Sequence, residues 1–577
     1  MKVDLPQGDS ALDRIQSIAD DLHAHLTRDP NSRVFLGVDR DLGALPDPSA
    51  ADSLSRLAEA QGLLEQVRDT PRAGLDFDAA LDLDLAALML EAEIHQDTLT
   101  FNGQTRLEQL PTAGADVGDG IFMLFINDPR PAGDRLADIT ARLEAVPGYL
   151  DALLGHLGVP VARWVDVELE RVVGLPELFE TVRGWAESVS WPDRGRLEVA
   201  RVEAERALTD YAERLRALPT HAGFHIGDAD ARRIIALRGI DLSPEQLHRV
   251  ARDFLARTSE SLAELRGRLV PRYGLPPETT VAELHRFLNQ RFRVTLPTGQ
   301  LDDVLDRYRE ERRRVLDFIR QRDLFPIPEH QEMKILRTPG FMAPSIPAGA
   351  MMPPPPFREG VRTSLIYLTL SDELLDEHTE LGIPSMIVHE GIPGHHLQLA
   401  TAGLHPSIIR RHMNAMDQAE GWTTMLEDYM LDVGLMGPLT DEARFIGHRD
   451  IARIGARVVI DLFFMTGDRR YLDVGVDCDV SAADPFEAAG SLLAAVTGFT
   501  PGRTQAELNW YSIERGYPLS YLAGNHLVHQ LKADVTAACA GRLEGLALDR
   551  AFHRTFLEAG NMPVRFLRAV FAHEGLL

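Results

Sequence analysis

Three histidines and a carboxylate share ten residues of this sequence, His389-Glu390-Gly391-Ile392-Pro393-Gly394-His395-His396-Leu397-Gln398. Imidazole nitrogens and carboxylate oxygens are zinc donors, and a carboxylate next to a ligand can take a proton from water activated by the ion. The common arrangement sets two histidines four residues apart on one helix, so that both imidazoles leave the same face. Here the second imidazole comes six residues on at His395 or seven at His396, about 9 to 10.5 Å along a regular helix axis. Both nitrogens must come within about 2.0 to 2.1 Å of a single ion. An unbroken helix therefore cannot form the site. Gly391, Ile392, Pro393 and Gly394 lie between, and a proline flanked by glycines is where a helical ladder opens. The spacing predicts a break that swings His395 back toward His389.

A catalytic zinc takes three protein ligands and keeps one position open for water. Glu420, 25 residues beyond His395, can return to the site through a helix, a turn and a second helix, and is the expected third ligand. A competing reading makes it a first-turn carboxylate stabilised by the helix dipole. Glu390 is the expected general base, passing a proton from water to a leaving amine. His396, Gln398 and Asp417 are expected around the ligands, orienting them or touching substrate.

The elements that must position these groups are mostly helical. Ser53 to Val67, Phe77 to Thr98, Asp134 to Val146, Arg196 to Leu218 and Gly299 to Gln321 carry apolar residues at three- and four-residue steps. Pro192, Pro219 and Pro276 mark breaks. From Phe325 to Phe357 the composition turns to Pro, Met and Gly, ending in Met351-Met352 and four prolines, which no regular α-helix accepts. This stretch is expected to link an N-terminal helical lobe, residues 1–330, to a catalytic helical lobe, residues 331–577. Ser364 to Leu370 is the best strand candidate, a β edge that could add an extended peptide as a further strand. Gly382 is expected to end a short run, with Pro384 opening the helix that leads to His389.

The 577-residue chain carries 60 basic and 87 acidic residues, a net charge of −27, with no long basic cluster. That argues against nucleic acid or an anionic membrane as partner. Cys478 and Cys539 belong to no CxxC pair, and two cysteines make no disulfide framework, which suits a reducing compartment. Met1 to His23 has no basic segment followed by an apolar core, and no run of eighteen apolar residues occurs. The expectation is a cytoplasmic protein.

These residues resemble a large bacterial family of unknown function marked by H-E-x-x-P-G-H-H-x-Q and generally regarded as zinc metallopeptidases. His389, Glu390, Pro393, Gly394, His395, His396 and Gln398 match that motif. Glu420-Gly421-Trp422, the pair Arg457 and Asp461, and Glu507, Tyr511, Leu519, Tyr521 and Gly524 match its later motifs. The resemblance spans 364–531 closely and the helical region before it loosely. A more distant similarity, to helical zinc peptidases of the thimet-oligopeptidase and angiotensin-converting-enzyme kind, implies that the histidine preceded by glycine, His395, is the second ligand. It also implies that Tyr521, with Tyr511 as partner, donates to the oxyanion of the tetrahedral intermediate. Arg457 and Asp461 are read either as an intrahelical pair or, for Arg457, as a holder of a substrate carboxylate. The chain departs from the family at Met425, Met465 and Tyr517, which puts the substrate class in question.

The expectation is thus a mainly α, two-lobed helical metallopeptidase-like architecture with a deep cleft and a small β edge near the site. Zn2+ is the expected cofactor and a short peptide or small amide the expected substrate. Two alternatives are a metal-dependent hydrolase or tailoring enzyme acting on a non-peptide amide and a non-catalytic metal-binding protein.

Overall fold

The computed structural model describes residues 11–338, 349–372 and 375–577, and these are mainly helical. The five segments with helical periodicity lie within Ala50–Asp69, Phe77–Thr98, Ala132–His156, Arg194–Arg216 and Asp302–Arg322, apart from a few residues at their ends. Polar caps set several of the starts: the Asp76 side chain accepts from the Ala79 amide, and Thr280 and Glu283 form a reciprocal capping box.

The chain divides into two compact units. The first comprises Met1–His225 with Pro355–Arg358 and Pro406–Met413; the second comprises Ile226–Pro354, Glu359–His405 and Asn414–Leu577. The division expected near residue 330 falls inside the second unit. The helices Pro244–Arg272 and Asp302–Arg322 lay their apolar faces on Thr440–Thr466 and Gly382–Glu390, respectively, so they share a core with the candidate site.

The first unit is a set of packed helices with a buried polar layer. Glu168 accepts from the Gly114 amide at 3.0 Å and from the Tyr211 hydroxyl at 3.0 Å, while Tyr149 donates to Asp116 at 2.5 Å. Each buried carboxylate thus has partners, which burial requires.

The second unit is organised around Thr440–Thr466, buried along nearly every side from Ala452 to Met465. A helix apolar on all faces belongs inside a core. The same unit contains a three-stranded sheet. Arg362–Leu368 is its central strand, parallel to Gln331–Arg337 on one side and antiparallel to Gly349–Met352 on the other. The expected edge strand is therefore interior. Ser364 to Leu368 are buried in unbroken succession, the pattern of a strand covered on both faces. The segment expected to be a linker, Phe325 to Phe357, supplies the two flanking strands; its residues 339–348 lie outside the described residues.

The helix Met416–Asp432 crosses Ser520–Cys539 at two glycines. A Cβ on Gly421 would stand 2.5 Å from the Gly524 carbonyl oxygen, and one on Gly524 would overlap the Asp417 carbonyl. Only paired glycines allow backbones this close, and a buried Asn525 to Thr424 hydrogen bond of 3.0 Å ties the same crossing. Gly524→Ala is expected to destabilise the fold by about 1 to 3 kcal/mol through overpacking, read as a lower urea midpoint at unchanged slope.

Candidate metal centre

The first helix of the site, Gly382–Glu390, opens at Gly382, whose amide donates to Thr379 Oγ1 at 2.9 Å, so this glycine starts the helix that it was expected to precede. The helix stops at Glu390, and a new one, His395–Ala402, begins after four intervening residues. In the gap the chain folds back on itself so tightly that a Cβ on Gly394 would overlap the carbonyl oxygens of Val388 and His389. The Pro393 carbonyl, freed by the break, accepts from the buried Trp422 indole at 2.9 Å.

This turn brings the two imidazoles together. Their ring centroids lie 5.0 Å apart at 87°. His389 Nε2 stands 3.6 Å from Glu420 Oε2, and His395 Nε2 stands 3.6 Å from Glu420 Oε1. One donor atom from each of His389, His395 and Glu420 lies within 4.8 Å of the others, the one such cluster among the described residues. Two donors bound at about 2.0 to 2.1 Å to a tetrahedral zinc stand about 3.4 Å apart, and the two histidine–carboxylate separations of 3.6 Å are near that value.

The charges fit it as well. Burial alone would lower the His389 imidazole, but Glu420, Glu427 and Glu390 outweigh it and raise the group to about 10. Burial alone would raise Glu420, yet the two imidazoles hold it well below the usual carboxylate range. Glu420 Oε2 and His395 Nδ1 are buried without a hydrogen-bond partner. Such a site calls for positive charge at its centre, and a divalent cation can replace the protons that the imidazoles would otherwise hold.

Glu427 has a part that sequence reading missed. Its Oε1 accepts from His389 Nδ1 at 2.7 Å, which fixes the tautomer and turns the Nε2 lone pair toward Glu420. The signal was its position two turns after Glu420 on the same helix face.

His396 lies elsewhere. Ser364 Oγ is 2.7 Å from its Nδ1 and Gln331 Oε1 2.6 Å from its Nε2, so both ring nitrogens are engaged by two strands of the sheet. Burial and nearby Arg312 lower it to about 4. His396 pins the second helix to the sheet, and His395 faces the ligand cluster. Gln398, 1% exposed, has no side-chain hydrogen bond among the described residues. Asp417 accepts from the Val564 amide at 2.9 Å and so anchors the start of the helix Val564–His573.

Arg457 and Asp461 do not pair with each other. Arg457 donates to Tyr511 at 2.9 Å and to Glu507 at 2.9 Å, and the Tyr511 hydroxyl donates to Glu507 at 2.5 Å. Tyr511 is fully buried in this triad. Asp461 accepts from the Gly516 and Leu519 amides, each at 3.1 Å, and thereby holds the loop that presents Tyr517 and Tyr521. Tyr521 lies under the Arg457 guanidinium at 4.5 Å and edge-on to Tyr517 at 5.9 Å. Burial first, then the charge of Glu420, raises both phenols, Tyr517 to about 12. Both phenols are thus kept protonated and able to donate.

The family described as "Bacterial protein of unknown function (DUF885)" matches residues 30–570. The chain belongs to this family. The match reaches well beyond the segment in which the motifs lie. No curated protein matches the chain. Two solved structures share the fold. One, titled a "putative lipoprotein of unknown function" from Shewanella oneidensis, has 18% identity and a TM-score of 0.75 over 98% of this chain and 100% of its own. The other, a "putative lipoprotein" from Colwellia psychrerythraea, has 16% identity and a TM-score of 0.79 over the same shares. At these identities the likeness speaks to fold, and the word lipoprotein is said of those two proteins. In this chain no described helix is long and apolar enough to cross a membrane. Of the three positions expected to depart from the family pattern, Met425 and Met465 are buried, and Tyr517 stands edge-on to Tyr521.

Three measurements follow. His395→Ala and Glu420→Gln are expected to lose stoichiometric zinc by elemental analysis while His396→Ala keeps it, and Glu427→Gln is expected to weaken zinc affinity about 10- to 100-fold in chelator competition. His396, held neutral in the fold, binds its proton only near pH 4 whereas the unfolded chain does so near 6.5. Its contribution is complete above pH 6.5 and is lost as pH falls toward 4. Denaturation series should show the stability gap between wild type and His396→Ala shrinking by up to about 3 kcal/mol across that window.

Proposed function

We propose that this protein is a zinc-dependent hydrolase of amide bonds, acting most simply on short peptides. The observation that carries the reading is the convergence of His389, His395 and Glu420 on one point, with Glu427 behind the first ligand and Glu390 directly after it in the chain. Zinc bound there would supply Lewis acidity, polarising a carbonyl and making water a competent nucleophile near neutral pH.

The chain's own residues account for the rest. Glu390 takes a proton from the attacking water as its oxygen adds to the carbonyl carbon. The same proton passes to the amine nitrogen as the C–N bond breaks. Tyr521, kept protonated by burial and by the charge of Glu420, donates to the oxygen that gains negative charge. Arg457 lies over its ring, and Asp461 holds its loop. Tyr511 supports this donor indirectly, since its hydroxyl is engaged by Glu507. The reading suits a cytoplasmic protein, as the two free cysteines favour, and equally an exported one, because the site needs only its metal.

A non-peptide amide is the second reading, favoured by Tyr517 at the position where the family pattern differs. Profiling the purified, zinc-loaded protein against peptide and non-peptide amides separates the two. Glu390→Gln is expected to retain zinc and lose about 10²- to 10⁴-fold in turnover, and Tyr521→Phe to lose about 10²- to 10³-fold in kcat with KM little changed. Equal turnover by wild type and Glu390→Gln would remove Glu390 from the mechanism. Absence of turnover on any amide by zinc-loaded wild type would leave a metal-binding protein without catalysis.

A further inference from the structure

The helix Thr440–Thr466 carries arginines at 449, 453 and 457, one turn apart along one face. Arg457 is committed to Glu507 and Tyr511. The others close no carboxylate ion pair among the described residues. Arg453 Nη1 donates to the Asp450 carbonyl of its own helix at 3.0 Å, and Arg449 Nη2 reaches the Thr497 carbonyl at 3.4 Å. Arg503, near the start of the helix Pro501–Ile513, stacks on Phe499 at 3.8 Å, and its Nε is buried without a hydrogen-bond partner.

Other arginines of this chain, whose net charge is −27, do close ion pairs. Arg444 in the same unit pairs with Asp428 and Asp432, and Arg307 with Glu311 and Glu380. Arg503 even stands four residues before Glu507, the spacing of an intrahelical pair, but Glu507 Oε2 is taken by Arg457 and Tyr511. Burial and the like charge of Arg453 both act against the Arg503 cation. Glu507, Glu377 and Asp450 favour it through space without closing an ion pair. Guanidinium groups left this way close no direct ion pair among the described residues, and the planar fork of arginine matches a carboxylate.

The row also leads to the candidate centre. Its last member, Arg457, lies over Tyr521, and Asp450 between Arg449 and Arg453 feels the charge of Glu427, the partner of His389.

We propose that Arg453 and Arg503 together bind a carboxylate of the substrate, so that the protein prefers amides whose carboxyl side bears a free C-terminal carboxylate or an acidic side chain. This deepens the amide-hydrolase reading and rests on it. The test is calorimetry with zinc-loaded Glu390→Gln protein and short N-acetylated peptides. One arm compares each free acid with its carboxamide; the other compares glutamate-containing carboxamides with their glutamine counterparts. At least one arm is expected to show about tenfold tighter binding of the acidic member, and which arm responds identifies the source of the carboxylate. Adding Arg453→Gln or Arg503→Gln is expected to abolish that preference while leaving zinc content and the affinity for neutral carboxamides unchanged, and Arg503→Lys to keep part of it. Equal binding within both arms overturns the assignment, as does a preference that survives both glutamine substitutions. Because the readout is binding, failure of zinc-loaded wild type to hydrolyse any amide would instead overturn the hydrolase reading, so the two failures are distinct.

Discussion

The arrangement depends on one interruption of a helix. His395 comes six residues after His389 in the chain, and a continuous helix would hold their imidazoles well apart. The structure meets this with a turn so close that Gly394 has no room for a side chain over the carbonyl groups of Val388 and His389. A broken ladder leaves backbone carbonyls without partners, and a buried carbonyl without a donor is costly. Trp422 answers one of these from the neighbouring helix through its indole N–H. The tryptophan sits two residues after Glu420, so the tie that stabilises the turn also fixes the helix that brings the carboxylate to the two imidazoles.

Close packing extends that constraint. Glu420, Gly421 and Trp422 are consecutive but do three different things: one faces the ligand cluster, one lets another helix approach, and one holds the turn. Gly524 supplies the other half of the crossing, three residues after Tyr521. The phenol is thereby set near Glu420 by backbone contact. Asp461 reinforces the placement from a third helix by accepting two amides of the preceding loop.

Electrostatics then divide the surroundings into two kinds. Around the ligands, negative carboxylates outnumber fixed positive charge and favour a cation. Along Thr440–Thr466, arginines accumulate beyond what the neighbouring acids neutralise by direct contact. Arg457, over the ring of Tyr521, is where the arginine row meets the surroundings of the ligands.

Much of the site was legible in the chain because its residues lie in short, chemically distinctive runs. The helix break followed from two glycines and a proline between ligand-type residues, and the long helices of both units followed from apolar periodicity, since a helix repeats every 3.6 residues whatever its neighbours. The sequence alone could not tell which histidine of the His395-His396 pair turns toward the cluster, because adjacent side chains leave a helix about 100° apart and only the position of the sheet, with Ser364 and Gln331, decides which is engaged elsewhere. It could not tell that Arg457 pairs with Glu507 instead of Asp461, or that Tyr511 belongs to that pair, because an intrahelical spacing permits a contact without requiring one. Likewise the strand at Arg362–Leu368 was recognisable by composition, but its place in the middle of a sheet was set by partners drawn from a segment whose prolines and methionines resembled a linker. Local chemistry identified the ligands and the break; long-range packing decided their orientation and their partners.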